Sequence, residues 1–93
     1  MIRSFRDSTT EAIAASKAAK GFPADLVKRA VRKLTMLNYA TSLDDLRSPP
    51  GNRLEALKGD RNGQHAIRIN DQWRICFVWT SAGPERVEIT DYH

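Results

Sequence analysis

The sequence predicts an α+β domain in which two amino-terminal helices pack on a small antiparallel β-sheet. Three observations lead there. Apolar residues in the first half recur at helical spacing, the period shortens to two after Leu54, and an Asn62-Gly63 pair separates two alternating stretches. The 93 residues allow one hydrophobic core and no second one, so residues 1–93 are read as a single domain.

Ile2 to Phe5 alternates apolar and polar residues and predicts a short first strand. Ser8-Thr9-Thr10-Glu11 has the form of a capping box, with the Ser8 hydroxyl accepting from an orphan amide and Glu11 reaching back. The helix it opens is expected to run to about Lys20, with Gly21 as its stop. Its one large apolar residue is Ile13, so it is expected to bury little surface, dock weakly and open locally. Pro23 suits the first position of a second helix. There Leu26, Val27, Ala30, Leu34 and Leu37 form a core-facing stripe, opposite Lys28, Arg29, Arg32 and Lys33. Ser42 is placed to cap a short turn from Leu43 to Leu46, which Pro49-Pro50-Gly51 ends.

Leu54 to Leu57 reads as a short strand, and Asp60-Arg61-Asn62-Gly63 predicts a tight primed turn, because Asn-Gly tolerates positive φ. Ile67 and Ile69 alternate with Arg68 and Asn70. Trp73, Ile75, Phe77 and Trp79 share one face of the next strand, with Arg74, Cys76 and Val78 on the other. Ser81 to Pro84 turns the chain into a last strand whose Val87 and Ile89 face the core. By alternation Asp91 shares their side and Tyr92 faces away.

Fifteen Lys and Arg against eleven Asp and Glu give a net charge of +4. Clustering is more informative than the sum: four basic residues fall between Lys28 and Lys33, and six more are spread from Arg47 to Arg74. A polyanion suits this distribution. No apolar run approaches the roughly 18 residues of a membrane span, MIRSFRDSTT has no secretory pattern, and Cys76 alone forms no internal disulfide. The expected location is cytoplasmic, with no membrane partner.

Asp91, Tyr92 and His93 continue an apolar strand with no Gly or Pro between, which predicts that they are held at the sheet's rim. RNA cleavage suits such groups. A base removes the proton of a 2′-hydroxyl, an acid protonates the departing 5′-oxygen, and a cation balances the phosphorane. His93 can act as acid or base, and Asp91 as a base or as a support for an imidazole. Arg74 and Lys58 can stabilise the phosphate, and Tyr92 offers a ring for base stacking. Two histidines and one cysteine, widely spaced, form no recognisable metal site, and no cofactor is expected. His65 is read as a surface strand residue, Cys76 as a small packing residue, and Trp73 and Trp79 as core.

The stretch RSPPGNRLEALKGDRNGQHAIRINDQWRICFVW, followed by VEITDYH, closely resembles HigB-family toxins of the RelE/ParE superfamily, particularly the GraT-like subgroup. The resemblance covers essentially the whole chain, the first helix matching least. It implies a RelE-like fold and the toxin of a type II toxin–antitoxin system, acting by ribosome-dependent messenger RNA cleavage that inhibits translation. It also implies a HigA-type helix-turn-helix antitoxin, through which the complex would bind operator DNA. Carried onto this chain, the resemblance places the catalytic centre at Asp91, Tyr92 and His93, with Lys58 and Arg74 as basic groups beside it. Glu55 stands where some members have histidine; a glutamate accepts a proton but supplies no imidazolium, which shifts acid duty towards His93. Contacts to ribosomal and messenger RNA are expected from Arg53, Arg61, Arg68, Lys28 and Arg32. Two other readings stay open. One is a ribosome-binding inhibitor that does not cut, which Glu55 allows; the other is a ParE-like gyrase poison, against which the DYH ending argues.

Overall fold

In the computed structural model, which describes residues 1–91, two helices cover one face of a four-stranded antiparallel sheet, as predicted. The helices are α1 (Ser8–Ala14) and α2 (Val27–Tyr39). The strands β1 (Glu55–Ala56), β2 (His65–Arg68), β3 (Trp73–Thr80) and β4 (Gly83–Asp91) lie side by side in chain order. Ile67 pairs with Ile75 and Ile75 with Ile89. Residues directly opposite in an antiparallel pair point the same way, so these three isoleucines form one inward row. The row meets Ala30, Leu34 and Leu37 of α2, the buried part of the predicted stripe, with Leu26 and Val27 packed at its margin. None of the described helices is long and apolar enough to cross a membrane.

The amino-terminal segment does not form the expected strand. Phe5 makes a single parallel bridge to Val87, flanked by Arg3 N to Pro84 O (2.8 Å) and Arg6 N to Val87 O (3.0 Å). Arg86 takes a left-handed φ of 52°, and the β3–β4 register shifts between Cys76 and Val78. Such an irregularity bends the strand, so pairing along this edge stays local.

Helix α1 also departs from expectation. Its cap is Asp7, whose Oδ1 accepts from Thr10 N at 2.7 Å, and not Ser8. It ends at Ala14 instead of near Lys20, with Ser16 in the left-handed region at φ 62°. Beyond Ile13 there are only alanines and polar residues to hold another turn against the core. Two of its side chains nevertheless reach the core. Ile13 and Thr10 are fully buried, and Thr10 Oγ1 accepts from Ile89 N at 2.9 Å. Thr10→Val keeps the shape but orphans a buried strand amide, which costs about 1–3 kcal/mol. Urea unfolding is expected to report that loss, and an unchanged midpoint would mean that the bond contributes nothing.

The predicted Asn-Gly turn is of another type. Asn62 has φ −55° and ψ 134°, and only Gly63 is positive, at φ 92°. This is a type II turn, closed by Gln64 N to Arg61 O at 3.0 Å. A 3₁₀ turn at Gly59–Arg61 lengthens the link between β1 and β2, so the tight primed geometry is not needed. Pro23 precedes a 3₁₀ turn, Ala24–Leu26, that leads into α2. Ser42 caps Leu43–Arg47 as expected, in a capping box with Asp45.

Candidate active site

The sheet face turned away from the helices carries the charges. Arg68 pairs with Arg74 and Arg74 with Thr90; in the next row Glu55 pairs with Ala66, Ala66 with Cys76 and Cys76 with Glu88. Direct partners share a side, so Arg74 lies between Arg68 and Thr90, beside a row that begins and ends in a carboxylate. Two guanidinium groups opposite each other repel unless neighbours compensate. Arg68 is ion-paired to Asp71, and Arg74 Nη1 donates to Asn70 O at 2.7 Å and Trp73 O at 3.4 Å. Arg61 reaches in from the β1–β2 link, with its Nη1 on Glu88 Oε1 at 3.0 Å and Gln64 Oε1 at 3.1 Å.

Lys58 follows Leu57, which is buried with Ala66 and Cys76 in a small cluster on this face, so a packed residue fixes the start of the Lys58 step. Lys58 itself and Glu55 are exposed. Burial pushes the Cys76 thiol up; Glu88 and Glu55 add to that rise, while Arg61 and Arg74 oppose it. A buried neutral thiol is a packing group and no nucleophile, and its four charged neighbours mark the centre of the polar face.

Asp91 pairs with Trp73 and so projects on the helix side, as alternation predicts. It stands at the same end of the sheet as Arg74 but on the other face, and its Oδ2 accepts from Gln72 Nε2 at 3.0 Å. Tyr92 and His93, the rest of the predicted set, lie outside the described residues. The β2–β3 loop from Asn70 to Gln72 therefore touches three of the predicted groups: Asn70 O holds Arg74, Asp71 holds Arg68 and Gln72 holds Asp91. Asn70 Oδ1 closes the loop by accepting from Gln72 N at 2.9 Å and Trp73 N at 2.8 Å. Alternation extends the strand to Asn70 and assigns no role to Asp71 or Gln72, whereas β2 ends at Arg68; three polar residues in a row ahead of Trp73 were the available signal.

The remaining predicted contacts come from different layers of the fold. Lys28 and Arg32 are exposed on α2, in the helix layer, while Arg61, Arg68 and Arg74 are on the open sheet face. Arg53 is exposed at the end of the 3₁₀ turn Pro50–Asn52, in a left-handed conformation at φ 46°. These basic residues are thus spread over the helix layer, the open sheet face and the 3₁₀ turn Pro50–Asn52. His65 is not a surface residue: it is half-buried and stacks on Phe77 at 6.3 Å between ring centres. Trp73 packs edge-on to Phe22 at 5.0 Å, and Trp79 lines the core, as expected. Among the described residues no group of three or more His, Cys, Asp or Glu could hold a metal ion.

The architecture is that of the RelE-like toxins. A chain of the YoeB–YefM complex from Staphylococcus aureus matches with a TM-score of 0.62, covering 100% of this chain and 98% of that one, at 15% identity, a likeness of fold. The chain belongs to the HigB-like toxins, described as RelE-like toxins of the type II toxin–antitoxin system HigB, a family matched over residues 3–93. Toxin HigB-1 of Vibrio cholerae serotype O1 is 44% identical over 57 residues, 61% of this chain and 60% of that protein. An uncharacterized protein of Haemophilus influenzae is 42% identical over 57 residues, 56% of its length. Both matches therefore span less than two thirds of the relative. Endoribonuclease HigB of Proteus vulgaris is 30% identical over 93 residues, the whole of both chains.

Proposed function

We propose that this chain is a cytoplasmic endoribonuclease toxin that cuts messenger RNA on the ribosome and is neutralised by a HigA-type helix-turn-helix antitoxin. The observation that carries the reading is the placing of Arg74 and Glu55 on one open sheet face; Asp91 stands at the Arg74 end of the sheet on the helix side, held by Gln72. Membership of a family with a full-length relative named as an endoribonuclease supports it. Type II membership implies a protein antitoxin, and the Staphylococcus aureus structural neighbour is solved as a complex with YefM.

In this scheme Glu55 accepts the 2′-hydroxyl proton and the freed oxygen attacks the adjacent phosphorus. Arg74 and Lys58 balance the negative charge that builds on the phosphorane. His93 protonates the departing 5′-oxygen, leaving a 2′,3′-cyclic phosphate and a 5′-hydroxyl. Asp91 orients the imidazole, and Tyr92 stacks a base. The scheme uses no metal ion or cofactor. Arg53, Arg61 and Arg68 contact ribosomal or messenger RNA phosphates, and Lys28 and Arg32 do so from the helix layer.

Expression without an antitoxin tests the reading. Growth is expected to arrest, with new messenger 5′ ends at ribosome-bound codons. Intact messengers during a clear arrest would refute cleavage and favour a ribosome-binding inhibitor, while altered plasmid supercoiling would favour a gyrase poison.

A further inference from the structure

We propose that the cleft between α2 and the Asn70–Gln72 loop is a second RNA-backbone site, in which Arg29, Arg32 and Lys33 hold phosphates of the strand whose cleaved step lies on the open sheet face. This rests on the RNA reading above and adds to it a site that involves none of the proposed acid–base groups. The cleft has a volume of about 440 Å³, and Arg29, Arg32, Lys33 and Arg68 all line it. The one carboxylate in its lining is Asp71, an exposed group already ion-paired to Arg68.

Neutral oxygens position two of the cations. Lys33 Nζ donates to Asn52 Oδ1 at 2.5 Å, and Arg29 Nη1 donates to Ile69 O at 3.5 Å. Asn52 is itself fully buried, and its Nδ2 donates to Leu46 O at 3.2 Å and Ser48 O at 3.3 Å. The ammonium is therefore fixed in place by an amide that leaves its charge uncompensated. Burial, and then the charges of Arg29 and Arg32, push the Lys33 pKa down. Like charges gathered in this way are relieved by an anion, and residues three and four apart on a helix present them along one side.

Continuity selects RNA over an acidic protein segment. Arg68 is common to the cleft and the sheet face, and Asn70, which lines the cleft, holds Arg74 through its carbonyl. A strand lying over Arg74 thus meets Arg68 next, and Arg68 lines the same cleft as Arg29, Arg32 and Lys33.

The test is fluorescence anisotropy of the purified protein with a fluorescein-labelled 12-nucleotide RNA carrying 2′-O-methyl groups, which cannot undergo 2′-hydroxyl attack. Arg29→Gln/Arg32→Gln is compared with Lys17→Gln/Lys20→Gln, which removes the same charge from exposed residues outside the cleft. Each single-strand phosphate contact contributes about 0.7 to the slope of log affinity against log salt. The cleft variant should lose about 1.4 from that slope, or about 25-fold in affinity at 0.1 M salt relative to 1 M, and the control little. Equal slopes for the wild type and the cleft variant, or equal losses in both variants, would overturn the site. Tighter binding of a labelled polyglutamate peptide than of the RNA, lost in the cleft variant, would assign the cleft to an acidic protein and overturn the proposal also. The two readings fail separately. RNA cleavage with cleft-independent binding removes the cleft alone, and cleft-dependent binding without cleavage removes the ribonuclease reading alone.

Discussion

Replacing His93 with Ala is expected to slow RNA cleavage by about 10²–10⁴-fold, the usual contribution of a positioned general acid or base. A group that takes the proton of the 2′-hydroxyl, as Glu55 would, sits on the side of attack, while in an in-line displacement the 5′-oxygen departs on the opposite side of phosphorus and needs a second group as its acid. An imidazole titrating near neutrality supplies that proton. The role of His93 comes from the DYH ending and the family it resembles. Unfolding midpoint and ribosome binding should stay close to wild type, which separates a loss of rate from a loss of fold. Full cleavage by a folded His93→Ala protein would remove the assignment.

Arg74→Ala should cost about 10²–10³-fold in cleavage rate, as expected when a preorganised donor to a developing anion is removed. Arg74 is held in place by Asn70 O and Trp73 O, so its charge is presented without a reorganisation penalty. Arg74→Lys keeps the charge but loses the planar fork, and should recover only part of the rate. Loss of the two side-chain bonds to backbone costs about 1–2 kcal/mol in stability, so the rate is to be read at a temperature where both variants are folded. Unchanged turnover in Arg74→Ala would move the phosphate-stabilising role to Lys58 or Arg61.

The strand half of the fold was legible because burial on one side enforces a period of two. Ile67, Ile75, Phe77, Val87 and Ile89 are all buried on the side that alternation assigned. The stripe on α2 was legible for the same reason at a period of 3.6. What escaped depends on partners distant in sequence. Thr10 looks like an ordinary first-turn residue, and its value lies in an amide 79 residues away. Asp7 and Ser8 are both competent caps, and local sequence does not choose between them. Asn62-Gly63 favours a primed turn only when the link is two residues long, and the 3₁₀ turn at Gly59–Arg61 removes that condition.

The site was legible as a set of residue types and less so as a surface. Arg61, Arg68 and Arg74 share the open face because the register of β2 and β3 aligns them and the β1–β2 link folds back over Glu88. Lys28 and Arg32, equally basic in the sequence, lie in the other layer, because the apolar stripe of α2 faces the core and leaves the charged residues outside it, Arg32 lining a cleft with Arg68. The role of Asn70, Asp71 and Gln72 in holding Arg74, Arg68 and Asp91 could not be read from spacing, since each contact depends on where a neighbouring strand ends.

The most direct test of ribosome-dependent cleavage uses the purified protein, ribosomes programmed with a defined message, and primer extension on that message. New 5′ ends are expected within the ribosome-bound codon, with a 2′,3′-cyclic phosphate on the upstream fragment, unchanged yield in a metal chelator that leaves the ribosomes assembled, and far slower cutting of the same message without ribosomes. An uncut message on ribosomes that have demonstrably bound the protein would contradict it.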